Sequence, residues 1–265
     1  MNNNTTPFLN TKETETISRL SYEKARVITR AQMERWFKYT TKVMDTTISR
    51  LKGKGILKSI TKGVYYFSSL DAGPAGRSIN EYMVPPLLFP EGKYYVGYSG
   101  MFNYYGYLDQ IPQTMYILNT SLQRIKTIGN VIFKLLKVSP SRIYGIKKAS
   151  IRDGEVIVSD RERTLVDLIY FPGPVGGLKT AFEILKKEAR NGKIDIEKLV
   201  RYATRFPGKT TRKRIGYILE QSGVKKNMLK PLMNSVKRSS LTTLYDSKSR
   251  KGTIDNGWKV IINVA

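Results

Sequence analysis

One stretch of this sequence carries polar and basic side chains at a spacing that suits contact with nucleic acid. The spacing of Met44, Ile48 and Leu51 predicts an amphipathic helix over residues 41–52, with these three side chains buried. At about 100° per residue, the opposite face carries a set of polar side chains, which we call the polar row. The polar row consists of Lys42, Asp45, Thr46, Ser49 and Arg50.

The residue types of the polar row fit the chemistry of DNA recognition. Arg donates two hydrogen bonds to guanine, Thr and Ser bond bases or phosphates, and Lys adds charge that is independent of base sequence. We therefore expect any sequence specificity to come from Arg50 and Thr46. The alternative is an ordinary solvated helix face, because polar residues belong on any exposed face.

Two further helices are predicted before the polar row. The first covers residues 11–22, with Ile17 and Leu20 on one side. The second begins behind a capping box, in which Thr29 and Gln32 have the Thr-x-x-Gln spacing.

A hairpin is predicted after the polar row, where the β-rich residues 56–60 and 64–67 flank a Lys62-Gly63 turn. Three helices followed by a hairpin are the order of a winged helix-turn-helix, in which the third helix enters the major groove and the hairpin contacts adjacent backbone. The sequence therefore predicts additional DNA contacts near the hairpin. These are Lys54, Lys58 and Lys62.

The charge balance points to a polyanionic partner. The 265 residues include 46 Lys and Arg against 21 Asp and Glu, which gives a net charge of +25. Both ends contribute, with 13 basic and 5 acidic residues through residue 70 and 12 basic and 2 acidic residues over 208–252. Such a field attracts nucleic acid or an acidic protein, and a membrane surface is the minor alternative.

Most hydrolytic and metal chemistry is excluded because the chain has no Cys and no His. Asp160 and Glu162 could bind Mg²⁺, but a capping box explains them. Residues 203–210 imitate a phosphate-binding loop, yet a predicted helix precedes them where such a loop needs a buried strand. We expect no catalytic residue, metal or cofactor.

No apolar run reaches the roughly 20 residues that span a bilayer. The polar start at residues 1–6 has no signal-peptide pattern. We therefore expect a cytoplasmic protein with no membrane partner.

The composition predicts an α+β protein with an N-terminal winged helix-turn-helix and a larger mixed C-terminal domain. Residues 68–90 are rich in Gly, Pro and Ser, so we predict domains at 1–72 and 93–265 with a linker at 73–92. The larger domain is predicted to begin with strands and continue with helices. The strands are at 114–118, 131–138, 141–144 and 156–158, the helices start behind Asp160 and lie at 178–190, 196–206, 211–221 and 227–238, and a closing strand is at 258–264.

Two tyrosine-rich segments, residues 94–98 and 104–107, could stack on exposed bases. Core packing with the hydroxyls at the surface is the favoured interpretation.

Several segments resemble the AbiEi-type antitoxins, the antitoxin half of abortive-infection toxin–antitoxin pairs. The order and spacing of the matching segments are similar to the family over most of the chain. The segments are residues 55–65, 94–97, 105–112, 158–167, 176–177 and 214–220. Departures are the aromatic content of residues 98–107 and the Lys-rich residues 225–238.

The resemblance implies a transcriptional repressor of its own operon that binds an operator with inverted repeats through the winged helix. It also implies that the C-terminal domain counteracts a nucleotidyltransferase-like toxin, directly or indirectly, and RNA is a further possible partner. Alternatives are a nucleic-acid-processing or nucleotide-binding enzyme that docks through a winged helix, and a basic RNA-binding protein.

Charged residues in and beside the family-like segments are the candidates for partner binding. Arg161 and Arg163 lie in a first helical turn, where the helix dipole disfavours cations, so a partner carboxylate or phosphate would explain them. A local salt bridge to Glu162 or Asp167 is the alternative. A second cluster completes the predicted surface. Its members are Arg212, Lys213 and Arg214.

Overall fold

The computed structural model describes residues 8–68, 80–128, 130–152, 154–246 and 249–263. The chain begins with three helices and a three-stranded antiparallel sheet of order β1-β3-β2. The elements are α1 (Thr11–Tyr22), β1 (Val27–Thr29), α2 (Arg30–Trp36), α3 (Thr41–Gly53), β2 (Leu57–Thr61) and β3 (Val64–Phe67).

Local side-chain caps set where these helices begin. Asn10 and Glu13 form a capping box at α1, and the predicted box of Thr29 and Gln32 is confirmed at α2. Thr40 caps α3 by accepting from the Val43 N–H. The predicted hairpin is also confirmed, and Gly63 takes the left-handed φ of +72° that its turn requires.

The two faces of the β2–β3 hairpin pack against two different apolar clusters. Its Tyr65 and Phe67 join the core under α1, α2 and α3. Ile60 and Tyr66 join a different apolar cluster, which includes Tyr82 from beyond the hairpin. The predicted boundary at residues 72–76 lies outside the described residues. The N-terminal helices and hairpin therefore share buried apolar surface with the larger, C-terminal part of the chain.

A six-stranded mixed sheet of order β6-β7-β5-β4-β9-β8 forms the middle of the chain. The β4–β9 and β5–β7 pairs are parallel and the others are antiparallel. The elements are α4 (Val84–Leu88), β4 (Tyr94–Gly97), α5 (Ser99–Tyr104), β5 (Thr114–Asn119), β6 (Arg124–Ile128), β7 (Val131–Lys137), β8 (Ile146–Ile151) and β9 (Gly154–Ser159).

Three of the predicted strands in this region are confirmed as β5, β7 and β9. The predicted strand at 141–144 is wrong, because Pro140–Arg142 forms a 3-10 turn that ends at Ile143. Pro140 fixes its own φ and favours the start of such a turn. The edge strands β6 and β8 were not predicted, because their Lys and Arg residues hide the alternation of apolar side chains.

Helices follow the sheet and bury their apolar faces against one another and against Tyr95, Tyr98 and Leu118 of the sheet. The first begins where predicted, but Asp160 caps it by accepting from the Arg163 N–H. The predicted capping box of residues 159–162 is not formed, and Glu162 accepts from the Asp195 N–H instead. The elements are α6 (Arg161–Tyr170), α7 (Leu178–Arg190), α8 (Ile196–Arg205), α9 (Lys209–Gln221), α10 (Lys226–Val236), β10 (Thr242–Thr243), β11 (Thr253–Asp255) and β12 (Val260–Ile262).

The C-terminal segment packs against α9 at a position that only Gly can occupy. Trp258 is fully buried, and a Cβ placed on Gly216 would lie 2.0 Å from its ring. The predicted closing strand starts later than expected, at Val260, and Val264 lies outside the described residues. The described elements confirm a mixed α and β fold. Among them, no helix is long and apolar enough to cross a membrane.

Candidate nucleic-acid interface

Helix α3 presents the polar row to solvent. Met44, Ile48 and Leu51 are buried in the core, as their spacing predicts. The opposite face is open to solvent along the length of the helix. Its exposed members are Lys42, Asp45, Thr46, Ser49 and Arg50. The structure therefore brings the five predicted residues together on one accessible surface.

Asp45 is the one carboxylate of the polar row, and its charge is matched. Arg30 of α2 forms an ion pair with Asp45 and a second one, at 2.7 Å, with Glu34. Hydrogen bonds to Asp45 and then to Glu34 raise the pKa of Arg30. The ion pair connects α2 to α3. Its positive charge also reduces the electrostatic repulsion between Asp45 and a phosphate.

The cations of the polar row have no such partner. Within the described residues, Lys42 and Arg50 form no ion pair. The Thr46 hydroxyl donates to the Lys42 carbonyl at 2.8 Å, which leaves its oxygen free to accept. In the part of the chain that the structure describes, the Arg50 guanidinium donates no hydrogen bond, although its charge helps to lower the pKa of Glu13.

The hairpin adds one exposed cation and one half-buried cation. Lys62 is exposed at the turn beside Gly63, and Lys58 is half-buried on β2. Both lie on the β2–β3 hairpin that follows α3 in the chain.

Lys54 does not belong to this surface, contrary to the sequence prediction. Its ammonium group pairs with Glu13, whose side chain is 1% exposed, and donates to the Phe8 carbonyl at 2.9 Å. Burial raises the pKa of Glu13, but hydrogen bonds from Lys54 and from the Asn10 N–H outweigh it and lower the pKa. Lys54 thus ties the end of α3 to α1.

The predicted partner-binding residues Arg161 and Arg163 both form ion pairs within the protein. Arg163 is fully buried, pairs with Asp167 at 2.9 Å and donates to the Tyr95 hydroxyl at 2.8 Å. It cannot contact a partner, and the alternative of a local salt bridge is the correct one. Arg161 is half-buried and pairs with Glu188 at 2.8 Å.

Two residues of the second cluster are also internal. The buried Lys213 donates to the Ser240 carbonyl, and the buried Arg214 pairs with Asp246 and donates to the Thr243 carbonyl at 3.1 Å. Burial, reinforced by nearby lysines, lowers the pKa of Lys213. These contacts fasten α9 to the C-terminal segment, so neither side chain forms the predicted patch. Arg212 is half-buried and donates to the Phe206 carbonyl.

No family model and no curated protein matches the chain. Among solved structures, the chain is similar to the crystal structure of the RV2827C protein from Mycobacterium tuberculosis, with a TM-score of 0.66 at 15% sequence identity. The match covers 96% of this chain and 92% of that one. The likeness therefore extends over nearly the whole fold.

The tyrosine-rich segments are mainly structural. Tyr94, Tyr95, Tyr98 and Tyr107 are buried, which confirms core packing for them. The expectation of hydroxyls at the surface is wrong for Tyr95 and Tyr107, whose hydroxyls donate to the buried Asp167 and Glu188. Tyr104 is 44% exposed and is packed edge-on against Tyr105.

The loop-like residues 203–210 connect two helices, as predicted, because α8 precedes them and α9 starts at Lys209. Asp160 is engaged on several sides, since it accepts from the Arg163 N–H, the Tyr202 hydroxyl and Lys198.

Sequence reasoning missed two contributors to the α3 surface. Arg30 restrains Asp45 from a neighbouring helix, and no local pattern links residues 15 positions apart. Val43 is 37% exposed beside the polar row. An exposed β-branched residue in the first turn of α3 was a usable signal, since apolar side chains in this position can contact the methyl group of thymine.

Proposed function

We propose that this chain is a DNA-binding transcriptional autorepressor and an antitoxin that counteracts a nucleotidyltransferase-like toxin without catalysis of its own. The observation that carries the DNA-binding part is the exposed polar row, whose Lys42 and Arg50 form no ion pair among the described residues while Asp45 is matched by Arg30.

The order of elements supports this interpretation of α3. Helix, strand, two helices and a hairpin, with β1 as the third strand beside β3, is the arrangement of a winged helix-turn-helix. In that arrangement α3 is the recognition helix and the β2–β3 turn is the wing. The N-terminal part would therefore insert α3 into the major groove of duplex DNA.

The residues of the surface divide by the contacts they offer. Arg50 and Thr46 are assigned to base edges, with Val43 against a thymine methyl. Lys42 and Ser49 are assigned to phosphates beside the groove, and Lys62 to phosphates under the wing. Asp45 orients Arg30, so that this guanidinium faces the same groove.

The antitoxin part rests on the family-like segments outside α3. Residues 158–167 cover the end of β9 and most of α6, and residues 214–220 lie in α9. Because Arg163 and Arg214 are internal, these segments act as the frame of the domain rather than as its contact surface. The half-buried Arg161 remains the partner-binding candidate from the first pair.

The test combines binding and growth. Purified full-length protein is titrated against duplex from upstream of its own reading frame, with a scrambled duplex of equal length. The protein is then co-expressed with the product of the neighbouring reading frame, which the proposal expects to be a nucleotidyltransferase-like toxin. Preference for the upstream duplex together with rescue of growth supports the proposal, whereas equal binding of both duplexes and no rescue refutes it.

A further inference from the structure

Three arginines meet around the turn between α8 and α9. The guanidinium carbon of Arg142 lies 5.1 Å from the ring centre of Phe206, and Arg212 donates to the carbonyl of the same residue. The guanidinium of Arg205 lies 4.4 Å from the ring centre of Tyr144. Buried Arg163 contacts both rings, at 4.4 Å from Tyr144 and 5.5 Å from Phe206, and so joins the two sides.

The positive charge of this group is compensated only in part. Arg142 donates to the Tyr98 hydroxyl at 3.2 Å, and against the effect of burial the charges of Tyr98 and Asp167 raise its pKa. Asp167 is the neighbouring carboxylate, and it is paired with Arg163. In the parts of the chain that the structure describes, Arg142, Arg205 and Arg212 form no ion pair. The Nε of Arg142 is buried without a hydrogen-bond partner there. Burial lowers the pKa of Arg212, and no carboxylate counteracts it.

One donor of this group, the Nε of Arg142, costs stability while it has no acceptor. A buried guanidinium N–H without an acceptor loses its hydration and gains nothing in return. Arginine is well suited to bind phosphate, because one guanidinium can donate two parallel hydrogen bonds to two phosphate oxygens.

An exposed aromatic ring stands beside these arginines. Tyr170, the last residue of α6, is 46% exposed. Arg142 lies 4.8 Å from its ring centre, and the Phe206 ring holds it edge-on at 5.0 Å. The ring is therefore fixed in place while part of its surface remains accessible.

Guanidinium groups beside a fixed, accessible ring are the two components of a single-strand site. The cations follow the backbone, and an unpaired base stacks on the ring. A duplex offers phosphates but no free base face. Only a single strand repeats a phosphate and an unstacked base at every unit, whereas the acidic side chains of a peptide carry no ring. The combination thus favours single-stranded nucleic acid over either.

We propose that Arg142, Arg205, Arg212 and Tyr170 form a binding site for single-stranded nucleic acid, with guanidinium groups on backbone phosphates and one unpaired base stacked on Tyr170. The site is separate from the polar row of α3. It gives the C-terminal part a nucleic-acid contact that does not depend on the winged-helix proposal.

The experiment measures fluorescence anisotropy of labelled 12-nucleotide single strands with the full-length protein at one salt concentration. An RNA strand and a DNA strand of the same sequence distinguish the two natural sources, and a hairpin duplex reports on α3. The variants are Arg205→Ala and Tyr170→Leu, both at exposed positions. Arg201→Ala is the matched control, because Arg201 is exposed on the same helix and carries the same charge.

We expect Arg205→Ala and Tyr170→Leu each to weaken single-strand binding by roughly tenfold, the size of one lost stacking or phosphate contact. Arg201→Ala should change it by less than about twofold, and hairpin binding should be unaffected by all three. If the wild type binds the RNA strand and the DNA strand with different affinities, the strand that binds more tightly is the ligand of the site.

Three outcomes would overturn the inference. Equal losses in Arg201→Ala and Arg205→Ala would indicate attraction by overall charge. A loss in Arg205→Ala with none in Tyr170→Leu would indicate a simple anion site. Arg50→Ala is included as a variant of the α3 surface, and loss of single-strand binding in it, with Arg205→Ala unaffected, would place the activity on α3.

Discussion

Arg30 of α2 and Asp45 of α3 form an ion pair across the exposed surface of the N-terminal part. The pair places a guanidinium beside the polar row and neutralises the row's one carboxylate. A recognition helix that carries an acidic residue can approach phosphate more closely when that residue is already paired.

Replacement of Asp45 by Asn tests this role. Without the carboxylate, Arg30 retains Glu34 as a partner but the surface gains one positive charge. We expect affinity for any duplex to increase by roughly two- to fivefold at low salt, with a steeper dependence on salt. Anisotropy titrations at two salt concentrations measure both quantities. Weaker binding of all duplexes would show that Asp45 contacts DNA itself.

The buried pair of Arg163 and Asp167 is predicted to stabilise the C-terminal helices. In Asp167→Asn, the guanidinium stays buried without a counterion, and the free energy of unfolding should fall by about 3–5 kcal/mol. The matched control is Glu183→Gln, which breaks the exposed pair with Lys186 and should cost less than about 1 kcal/mol. Urea denaturation measures both. Equal stability of Asp167→Asn and the wild type would contradict the buried-pair assignment.

Glu13 should contribute stability that depends on pH. Because its pKa is lowered in the folded chain, the unfolded chain binds more protons in acid. The contribution is therefore fully present above the ordinary value of 4.5 and is lost as the pH falls through the lowered pKa. The difference in unfolding free energy between the wild type and Glu13→Gln should be constant from pH 6 to 7, which is well above ~4.5, and should shrink below it. A constant difference down to pH 3, about the acid limit for carboxylates, would exclude a lowered pKa.

Gly216 is predicted to be irreplaceable. A methyl group there would overlap the ring of the fully buried Trp258, so Gly216→Ala should lower stability by about 1–3 kcal/mol or more. Gly173→Ala is the control, because a Cβ at Gly173 meets nothing within 4 Å. Thermal unfolding of both variants measures the effect. Similar melting temperatures for the two would show that the C-terminal segment does not pack on α9.

Local signals predicted most of the helices. Caps and apolar spacing depend only on residues a few positions apart in the sequence. The helices α2, α3 and α6 could therefore be located from the sequence. The strands β6 and β8 could not, because each lies at a sheet edge and takes its structure from its neighbour in the sheet. Tertiary pairing decided these segments.

The candidate surfaces divide in the same way. The polar row was predictable because helical periodicity alone places its residues opposite Met44, Ile48 and Leu51. The internal roles of Arg163 and Lys213 were not, because Tyr95 and Ser240 lie 68 and 27 residues away from them in the chain. The sequence shows that a residue is basic, but it does not show whether the fold places a hydrogen-bond acceptor from a distant part of the chain beside it. Arg142 and Arg205 were overlooked for the same reason, whereas Arg212 was among the predicted partner-binding residues.

The central claim is that α3 reads DNA sequence while the hairpin turn binds backbone. The direct measurement is a set of gel-shift titrations at one salt concentration with wild type, Arg50→Ala and Lys62→Ala, using the upstream duplex with inverted repeats and a scrambled duplex. Arg50→Ala should weaken the binding free energy for the upstream duplex by roughly 1–3 kcal/mol. The ratio of affinities for the upstream and scrambled duplexes should fall. Lys62→Ala should weaken both duplexes alike and keep their ratio. Unchanged affinities in both variants would contradict the assignment of α3 as the recognition helix.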